Sequence, residues 1–331
     1  MAELANGKIK LVYLLAASHS GSTLTAMLLN SHPDTHTTGE LKVTALGDID
    51  RYRCSCQALI NECPFWNKVN KRMADKGYQF EIARAGTDFR GIGSNYVKRL
   101  LRPLFRGGML EFVRDTALML DPTWRREYPK VLKKNEDLIH SVAEVSGKKV
   151  IVDSSKIGLR LKFIKRIESI DLKVVRVNRD GRAVALTYMD PAGFADATNP
   201  ELRGGGMGGD RREDMVSMQE AARRWLRSNE ESDAIASSLG PDQLKQIKYE
   251  DLCADPDKIL GEVFSFIGVD PDKRVKNFRS VEHHVIGNGM RLDDRSEISL
   301  DERWKERLTE EDLRIFSEIA GEKNRMLGYL R

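Results

Sequence analysis

The chain has 331 residues, 40% hydrophobic and 31% charged, with a formal net charge of +4, which is ordinary for a folded soluble protein of one large α/β domain or two small ones. The small charge suits an anionic small ligand, and because basic and acidic residues are interleaved, we expect no nucleic-acid partner. No apolar run approaches the length of a membrane span and residues 1–20 lack a signal-peptide cleavage pattern, so we predict a cytoplasmic protein without a membrane span.

The first predicted element is a strand, Lys10–Ala16, which runs through a turn of small residues into a helical stretch, Thr25–Asn30. Such a turn aims backbone N–H groups and the positive end of the helix dipole at one point, where a tetrahedral anion binds. A nucleotide-kinase loop ends in Gly-Lys-Ser/Thr to hold a triphosphate and Mg²⁺, but no Lys follows Gly21. We therefore expect an anion of lower charge than ATP and no metal. The predicted anion-binding residues are His19, Ser20, Gly21, Ser22, Thr23 and Leu24.

Three cysteines follow in the pattern C-x-C-x₆-C, at Cys54, Cys56 and Cys63. A structural zinc site normally has four ligands, and no fourth Cys or His lies at a finger-like spacing. The pattern favours three thiols, or one disulfide, that brace a surface loop. A metal site is the alternative.

Short β-branched runs alternate with helical patterns along the rest of the chain. This order predicts an α/β fold of three layers, with a central parallel sheet and helices on both faces. The predicted strands are Ile9–Ala16, Lys149–Val152, Leu172–Val177 and Leu244–Tyr249. The predicted helices include Leu159–Ile167, Arg182–Met189, Met215–Ser237, Lys258–Ile267 and Leu313–Leu327.

Two segments stand apart from this alternation. Residues 65–146 are rich in charged helix formers and contain no convincing strand. We predict a helical insertion there, between the first and second strands of a single domain that spans 1–331. Residues 190–212 contain the run Gly-Gly-Gly-Met-Gly-Gly at 204–209. So many glycines indicate a lid or an inert flexible connector.

A candidate phosphate site follows the third predicted strand. Arg179 leaves the strand at its carboxyl end, where open α/β sheets bind ligands, and Thr187 comes about two helical turns later. An Arg and a hydroxyl together form a cradle for a phosphate monoester. Arg176 and Arg182 compete for this role, although strand alternation favours a salt bridge for Arg176.

Four segments, taken in order, resemble the sulfotransferases that use 3′-phosphoadenosine 5′-phosphosulfate (PAPS). They are the loop at 18–24, the strand and helix at 174–187, the strand–helix junction at 248–252 and the loop at 283–291. The resemblance implies a P-loop-like fold and a 5′-phosphosulfate site at the first loop. It also implies that Arg179 and Thr187 bind the 3′-phosphate, and that Asn288 and Arg291 close over the adenine and that phosphate.

The run His32-Pro33-Asp34, followed by Gly39 and Glu40, is similar to one in tyrosylprotein sulfotransferases, in which the Glu is the catalytic base. The resemblance implies that Glu40 is the base, that Lys156 stabilises the transferring sulfuryl group, and that His19 stabilises the leaving phosphate. A structural pairing of Glu40 with Lys42 or Lys156 is the alternative. The rival bases are His36, His283 and His284.

The function implied is transfer of a sulfuryl group from PAPS to an acceptor hydroxyl, without a metal and with adenosine 3′,5′-bisphosphate as product. The acceptor is a small molecule, a carbohydrate or a lipid, and the sequence specifies neither its identity nor the oligomeric state. Two alternatives remain: a P-loop kinase of a small metabolite and a non-catalytic PAPS-binding protein.

Overall fold

The computed structural model describes residues 8–42, 46, 48–101, 107–191 and 215–329. Its strands are Ile9–Ala16 (β1), Thr35–Gly39 (β2), Val150–Lys156 (β3), Ile170–Asn178 (β4) and Leu244–Lys248 (β5). They form one parallel sheet in the order β2-β3-β1-β4-β5. The predicted α/β class is confirmed, but the sequence indicated only four of these strands, and β2 was missed.

Helices surround this sheet. The first half of the described chain contains Ser22–Leu29 (α1), Pro64–Asp75 (α2), Asn95–Leu100 (α3), Gly108–Leu120 (α4), Pro122–Ser146 (α5), Gly158–Ile164 (α6) and Gly181–Met189 (α7). The second half contains Met218–Ala236 (α8), Tyr249–Ala254 (α9), Pro256–Ile267 (α10), Trp304–Arg307 (α11) and Glu310–Met326 (α12). Short 3₁₀ helices lie at Ile82–Arg84, Phe89–Gly91, Pro271–Lys273, Phe278–Ser280 and Gly289–Leu292.

Both faces of the sheet are covered, as the three-layer prediction requires. Alternate side chains of β1 enter different cores, because successive residues of a strand point to opposite faces. Leu11, Tyr13 and Leu15 pack with the helices of the segment 64–146, whereas the residues between them pack with α1 and α10. A third apolar cluster joins α7, α8 and α12 around the fully buried Trp225.

The helical region at 64–146 lies between β2 and β3, so it follows the second strand of the chain and not the first. Its described residues contain no strand. Two prolines begin its long helices: Pro64 follows Cys63, and Pro122 follows Asp121, whose carboxylate accepts a hydrogen bond from the Trp124 N–H at 2.8 Å.

Other local predictions can be compared with the described chain. The Asp255 carboxylate caps α10, and Thr309 forms a capping box with Asp312 at the start of α12. α1 begins at Ser22, three residues before the predicted helix. The glycine-rich segment lies almost wholly in 192–214, outside the described residues. Among the helices that the structure does describe, none has the length and apolar character that a bilayer crossing would need.

Candidate functional site

The ends of four strands meet at one edge of the sheet and bring the predicted site residues there. β1 pairs with β3 through Leu15 and Lys156, and with β4 through Ala16 and Val177. The loop after β1, the end of β3 and the residues after β4 therefore emerge side by side. β2 ends next to β3, at Gly39, so Glu40 emerges at the same edge. This is the edge at which parallel α/β sheets bind their ligands.

The loop after β1 leads directly into α1. Gly21 is the N-cap residue, with φ of 83°, and no side chain caps the helix. The first-turn N–H groups, among them those of Ser22 and Thr23, are therefore left for a ligand. Ser20 is buried, and the Leu24 side chain belongs to the core, so only the backbone of Leu24 can face an anion.

Arg179 lies against this loop. Its Nη1 donates a hydrogen bond to the His19 carbonyl at 2.8 Å, and its guanidinium lies 4.7 Å from the centre of the Tyr249 ring. Nη2 is 3.7 Å from the Asp301 carboxylate. Nε is buried and has no hydrogen-bond partner among the described residues. A donor of this buried cation is thus left over for a ligand.

The helix α7 returns to the same loop. It begins at Gly181, one residue before the predicted start, and its Tyr188 ring meets the His19 ring edge-on, with 5.1 Å between centres. Thr187, the neighbour of Tyr188, is buried, and its hydroxyl donates to the Ala183 carbonyl within the helix at 3.1 Å. The two predicted phosphate motifs are therefore in contact through His19.

The rival arginines are engaged elsewhere. Arg176 forms a 2.6 Å ion pair with Asp233, which confirms the predicted salt bridge. Arg182 pairs with Asp180 at 2.6 Å and lies over the Trp304 ring. Arg179 makes no such pair with Asp180, because Arg182 already occupies that carboxylate.

Tyr249 joins the two motifs and was not predicted as a site residue. A Cβ added at Gly21 would lie 2.1 Å from Cδ2 of Tyr249, so the ring packs directly on the loop backbone while Arg179 stacks on it. The adjacent Glu250 accepts hydrogen bonds from the Asp180 N–H at 3.0 Å and from the Tyr329 hydroxyl at 2.8 Å. It therefore holds the junction of β4 and α7.

Gly21→Ala should disrupt the loop. The new methyl group would overlap the Tyr249 ring and would occupy a left-handed backbone conformation. We expect a loss of about 1–3 kcal/mol in the free energy of unfolding, measured by denaturant titration. Gly261→Ala is the control, because Gly261 lies in α10 with no atom within 4 Å of its added Cβ. Equal stability of the two variants would contradict the packing described here.

Glu40 lies at the end of β2 between two lysines. Its carboxylate oxygens are 2.5 Å from Lys156 Nζ and 3.3 Å from Lys42 Nζ, and all three side chains are largely buried. Burial raises the pKa of Glu40, but the two ammonium groups outweigh it and lower that pKa to about 2. Glu40 is therefore ionised at neutral pH. Lys156 has a left-handed φ of 71°.

The end of β3 fixes the segment that carries Glu40. Asp153 accepts a hydrogen bond from the Leu41 N–H at 3.2 Å, and the Ser155 hydroxyl accepts one from the Lys42 N–H at 3.0 Å. Arg160 pairs with the buried Asp153 at 3.2 Å. Ser155 thus positions the backbone beside Glu40, a role that the sequence did not suggest.

Comparisons with known proteins were made for the whole chain. No protein-family model matches it. No curated protein matches it either. Among solved structures, the sulfotransferase domain of the Synechococcus PCC 7002 olefin synthase is 14% identical, with a TM-score of 0.40, and the match covers 96% of this chain and 97% of that one.

Two further structures are similar over most of their length. Sulfotransferase STF9 from Mycobacterium avium is 10% identical, with a TM-score of 0.46, over 98% of this chain and 78% of that one. Retinol dehydratase in complex with androsterone and inactive cofactor PAP is 14% identical, with a TM-score of 0.42, over 98% of this chain and 84% of that one. These names agree with the sequence resemblance. Sequence identities and TM-scores as low as these assign no function to this chain.

The rival bases lie in different surroundings from Glu40. His36 is buried against Phe65, with 4.7 Å between ring centres, and burial lowers its pKa to about 3. Both ring nitrogens of His283 are engaged, one with the Asn30 amide at 2.8 Å and the other with the Phe278 carbonyl at 2.5 Å. His284 Nδ1 faces cysteine sulfurs.

Asn288 and Arg291 hold the loop that they belong to. The Asn288 side chain accepts a hydrogen bond from the Met290 N–H at 3.0 Å. Arg291 donates to the Arg53 carbonyl at 2.7 and 3.0 Å and to the Gly287 carbonyl at 2.6 Å. These backbone contacts use each of its three nitrogens. Arg291 therefore ties the segment that carries Cys54, Cys56 and Cys63 to the loop at 283–291.

Proposed function

We propose that this protein is a sulfotransferase that moves a sulfuryl group from PAPS to an acceptor hydroxyl. The observation that carries the proposal is the 2.8 Å hydrogen bond from Arg179 to the His19 carbonyl, because it joins two anion-binding motifs into one site. The ion pair of Glu40 with Lys156 lies at the same edge of the sheet. The same edge of the sheet thus offers hydrogen-bond donors for two anionic groups. It also offers one carboxylate and one cation.

The residues present fit PAPS. The free N–H groups at the start of α1 suit the 5′-phosphosulfate, with Ser20, Ser22 and Thr23 as further donors. Arg179 suits the 3′-phosphate, because its buried Nε lacks a partner among the described residues. A phosphate would also take the place of the Asp301 carboxylate, which lies 3.7 Å from Nη2. Thr187 would donate a hydrogen bond from its hydroxyl to the same phosphate in place of the Ala183 carbonyl. Asn288 and Arg291 would act by shaping the adenine side of the pocket.

Glu40 would act as the base. PAPS would supply an electrophilic sulfur. The acceptor oxygen must lose its proton as its bond to sulfur forms, while the bond from sulfur to the bridging 5′-phosphate oxygen breaks and adenosine 3′,5′-bisphosphate leaves. With Lys156 beside it, Glu40 is ionised but only weakly basic. If Lys156 turned towards the sulfuryl group, less positive charge would remain beside Glu40. Burial would then raise the pKa of Glu40. Glu40 would then accept the proton at a carboxylate oxygen.

Lys156 and His19 would stabilise the charge that builds up during transfer. Sulfuryl transfer resembles phosphoryl transfer, in which positioning and fixed positive potential carry most of the catalysis. A sulfonate carries one negative charge, whereas a terminal phosphate carries about two at neutral pH. Two side chains and the start of α1 are therefore expected to suffice for the transfer, without a metal in the reaction.

The acceptor would approach Glu40 from the side of the helical region at 64–146. The Thr87 hydroxyl donates to the Leu41 carbonyl at 2.6 Å, so this region is anchored one residue from the proposed base. The acceptor proposed is a small molecule, a carbohydrate or a lipid with a free hydroxyl.

Replacement of Arg179 by Ala tests the cofactor assignment. It should weaken binding of adenosine 3′,5′-bisphosphate by about 10- to 150-fold, because a charge-assisted hydrogen bond contributes about 1.5–3 kcal/mol. Binding of adenosine 5′-monophosphate, which lacks the 3′-phosphate, should change much less. Isothermal titration calorimetry measures both.

The matched control is Arg182→Ala, since Arg182 is occupied by Asp180 and Trp304. It should leave both affinities near those of the wild type. Equal weakening of the two nucleotides by Arg179→Ala would contradict the 3′-phosphate site. Tight Mg²⁺-dependent binding of ATP, together with weak binding of the bisphosphate, would favour a kinase.

A further inference from the structure

Three sulfur atoms and one imidazole nitrogen meet beside the loop at 283–291. The ligand atoms of Cys54, Cys56, Cys63 and His284 all lie within 4.8 Å of one another. Cys63 Sγ is 3.5 Å from His284 Nδ1 and 3.6 Å from Cys56 Sγ, and Cys54 Sγ is 3.9 Å from the same Nδ1. His284 is the fourth donor that the local sequence lacks.

The separations of 3.5, 3.6 and 3.9 Å are close to those of a tetrahedral zinc site. Zn–S bonds of about 2.3 Å and Zn–N bonds of about 2.0–2.1 Å place two sulfurs about 3.8 Å apart, and a sulfur and a nitrogen about 3.5 Å apart. All four cysteines of the chain lie in the described part and all are free, so the structure does not contain the disulfide considered from the sequence. Thiolate and imidazole ligands select zinc over magnesium or calcium.

The surroundings of His284 are those of a metal ligand. Its Nε2 lies 3.1 Å from the Glu282 carboxylate, and its ring stacks on Phe65 with 4.6 Å between centres. A carboxylate that accepts a hydrogen bond from Nε2–H keeps the proton on Nε2 and leaves the lone pair on Nδ1, which is the atom that faces the sulfurs. The orientation of the ring is therefore fixed by contacts outside the cluster.

The backbone presents the cysteines without a rearrangement. Cys54 and Cys56 belong to a tight turn in which the Gln57 N–H donates to the Cys54 carbonyl at 2.8 Å, with a left-handed Gln57. Cys63 is the N-cap residue of α2. Cys54, Cys63 and His284 are buried, and Cys56 is partly buried. Four protein ligands leave no open position for a substrate, which is typical of structural zinc.

We propose that Cys54, Cys56, Cys63 and His284 bind one structural Zn²⁺. The thiols would release their protons to solvent on binding, since thiolates are the ligands. The consequence for the fold lies two residues from His284: the Ile286 N–H donates to the Thr38 carbonyl at 3.0 Å, which pairs this segment with the end of β2, just before Glu40. The metal would hold the loop at 283–291 and the cysteine turn together behind the proposed base.

Metal analysis of the full-length protein, purified with a thiol reductant and without chelators, tests this proposal. We expect about one zinc per chain by inductively coupled plasma mass spectrometry. A mercurial thiol reagent should release that zinc to a chromogenic chelator. Protein refolded with Co²⁺ should show thiolate-to-cobalt charge-transfer absorption and the spectrum of a tetrahedral ion.

The cysteine variants give the matched comparison. Cys63→Ser and Cys54→Ser should lose the bound zinc and unfold at a lower temperature than the wild type. Cys253 lies away from the cluster, so Cys253→Ser should keep the zinc and the wild-type unfolding temperature. If the cluster variants do not fold, mercurial release and Co²⁺ spectra of the wild type still decide. Reduced wild-type protein that holds no metal after incubation with Zn²⁺, or zinc content unchanged in Cys63→Ser, would overturn the proposal. Neither measurement depends on sulfotransferase activity.

Discussion

Replacement of Glu40 by Gln is expected to lower the turnover of PAPS by about 10²- to 10⁴-fold, the usual contribution of a general base. The amide keeps the size of the side chain but cannot accept the acceptor proton. It also removes the negative charge that holds Lys156 at 2.5 Å and Lys42 at 3.3 Å. The measurement is the formation of adenosine 3′,5′-bisphosphate from PAPS, with an acceptor found in a panel of hydroxyl compounds.

Binding of the bisphosphate separates a catalytic defect from a folding defect. Glu40→Gln should bind adenosine 3′,5′-bisphosphate within a few-fold of the wild type, because the proposed nucleotide contacts lie on the loop after β1 and on Arg179. Glu62→Gln is a matched control, since Glu62 is exposed. If Glu40→Gln kept most of the wild-type turnover, the base would lie elsewhere, and His36 would be the next residue to replace. Cofactor binding with no turnover in the wild type would instead favour a PAPS-binding protein.

The strands of this fold were predictable where they are apolar. The runs at β1, β3 and β4 are short and contain several β-branched residues or leucines, and all three were indicated. β5 was indicated as well, although only Leu244 and Ile247 of its five residues are apolar. The sequence Thr-His-Thr-Thr-Gly of β2 is polar but fully buried. Two of its three hydroxyls find acceptors, since Thr35 donates to the Leu29 carbonyl at 2.5 Å and Thr37 donates to the Val152 carbonyl at 3.3 Å, whereas the buried Thr38 hydroxyl has no partner among the described residues. Such contacts form only in the folded chain, so hydrophobic pattern does not reveal them.

The parts of the candidate site differ in the same way. The loop after β1 is a local strand–turn–helix feature, so its sequence suffices to indicate an anion site. Tyr249 begins the helix after β5 and meets Gly21 only in the folded chain, and His284 meets Cys63 across 221 positions of sequence. Spacing rules for metal ligands are local, and they therefore overlook a fourth ligand that the tertiary fold supplies.

Replacement of Lys156 by Met is expected to lower turnover by about 10²- to 10³-fold, as expected for loss of one group that stabilises transition-state charge. Methionine keeps much of the apolar stem and removes the ammonium group. Because adenosine 3′,5′-bisphosphate carries no sulfuryl group, its affinity should change little. Affinity for PAPS itself should fall. Steady-state turnover and calorimetry with the two nucleotides measure these effects.

Lys42→Met is the matched control, because Lys42 also pairs with Glu40 but is not proposed to reach the sulfuryl group. If the lysines only held Glu40 in place, the two variants would lose turnover equally, and that result would contradict the role proposed for Lys156. A much larger loss of turnover in Lys156→Met would support that role. Both variants remove a charge that lowers the pKa of Glu40, so this effect is common to the two. Only the loss of Lys156 would also remove positive charge from the transferring group. The difference between the two variants therefore isolates the contribution of Lys156 to the transfer.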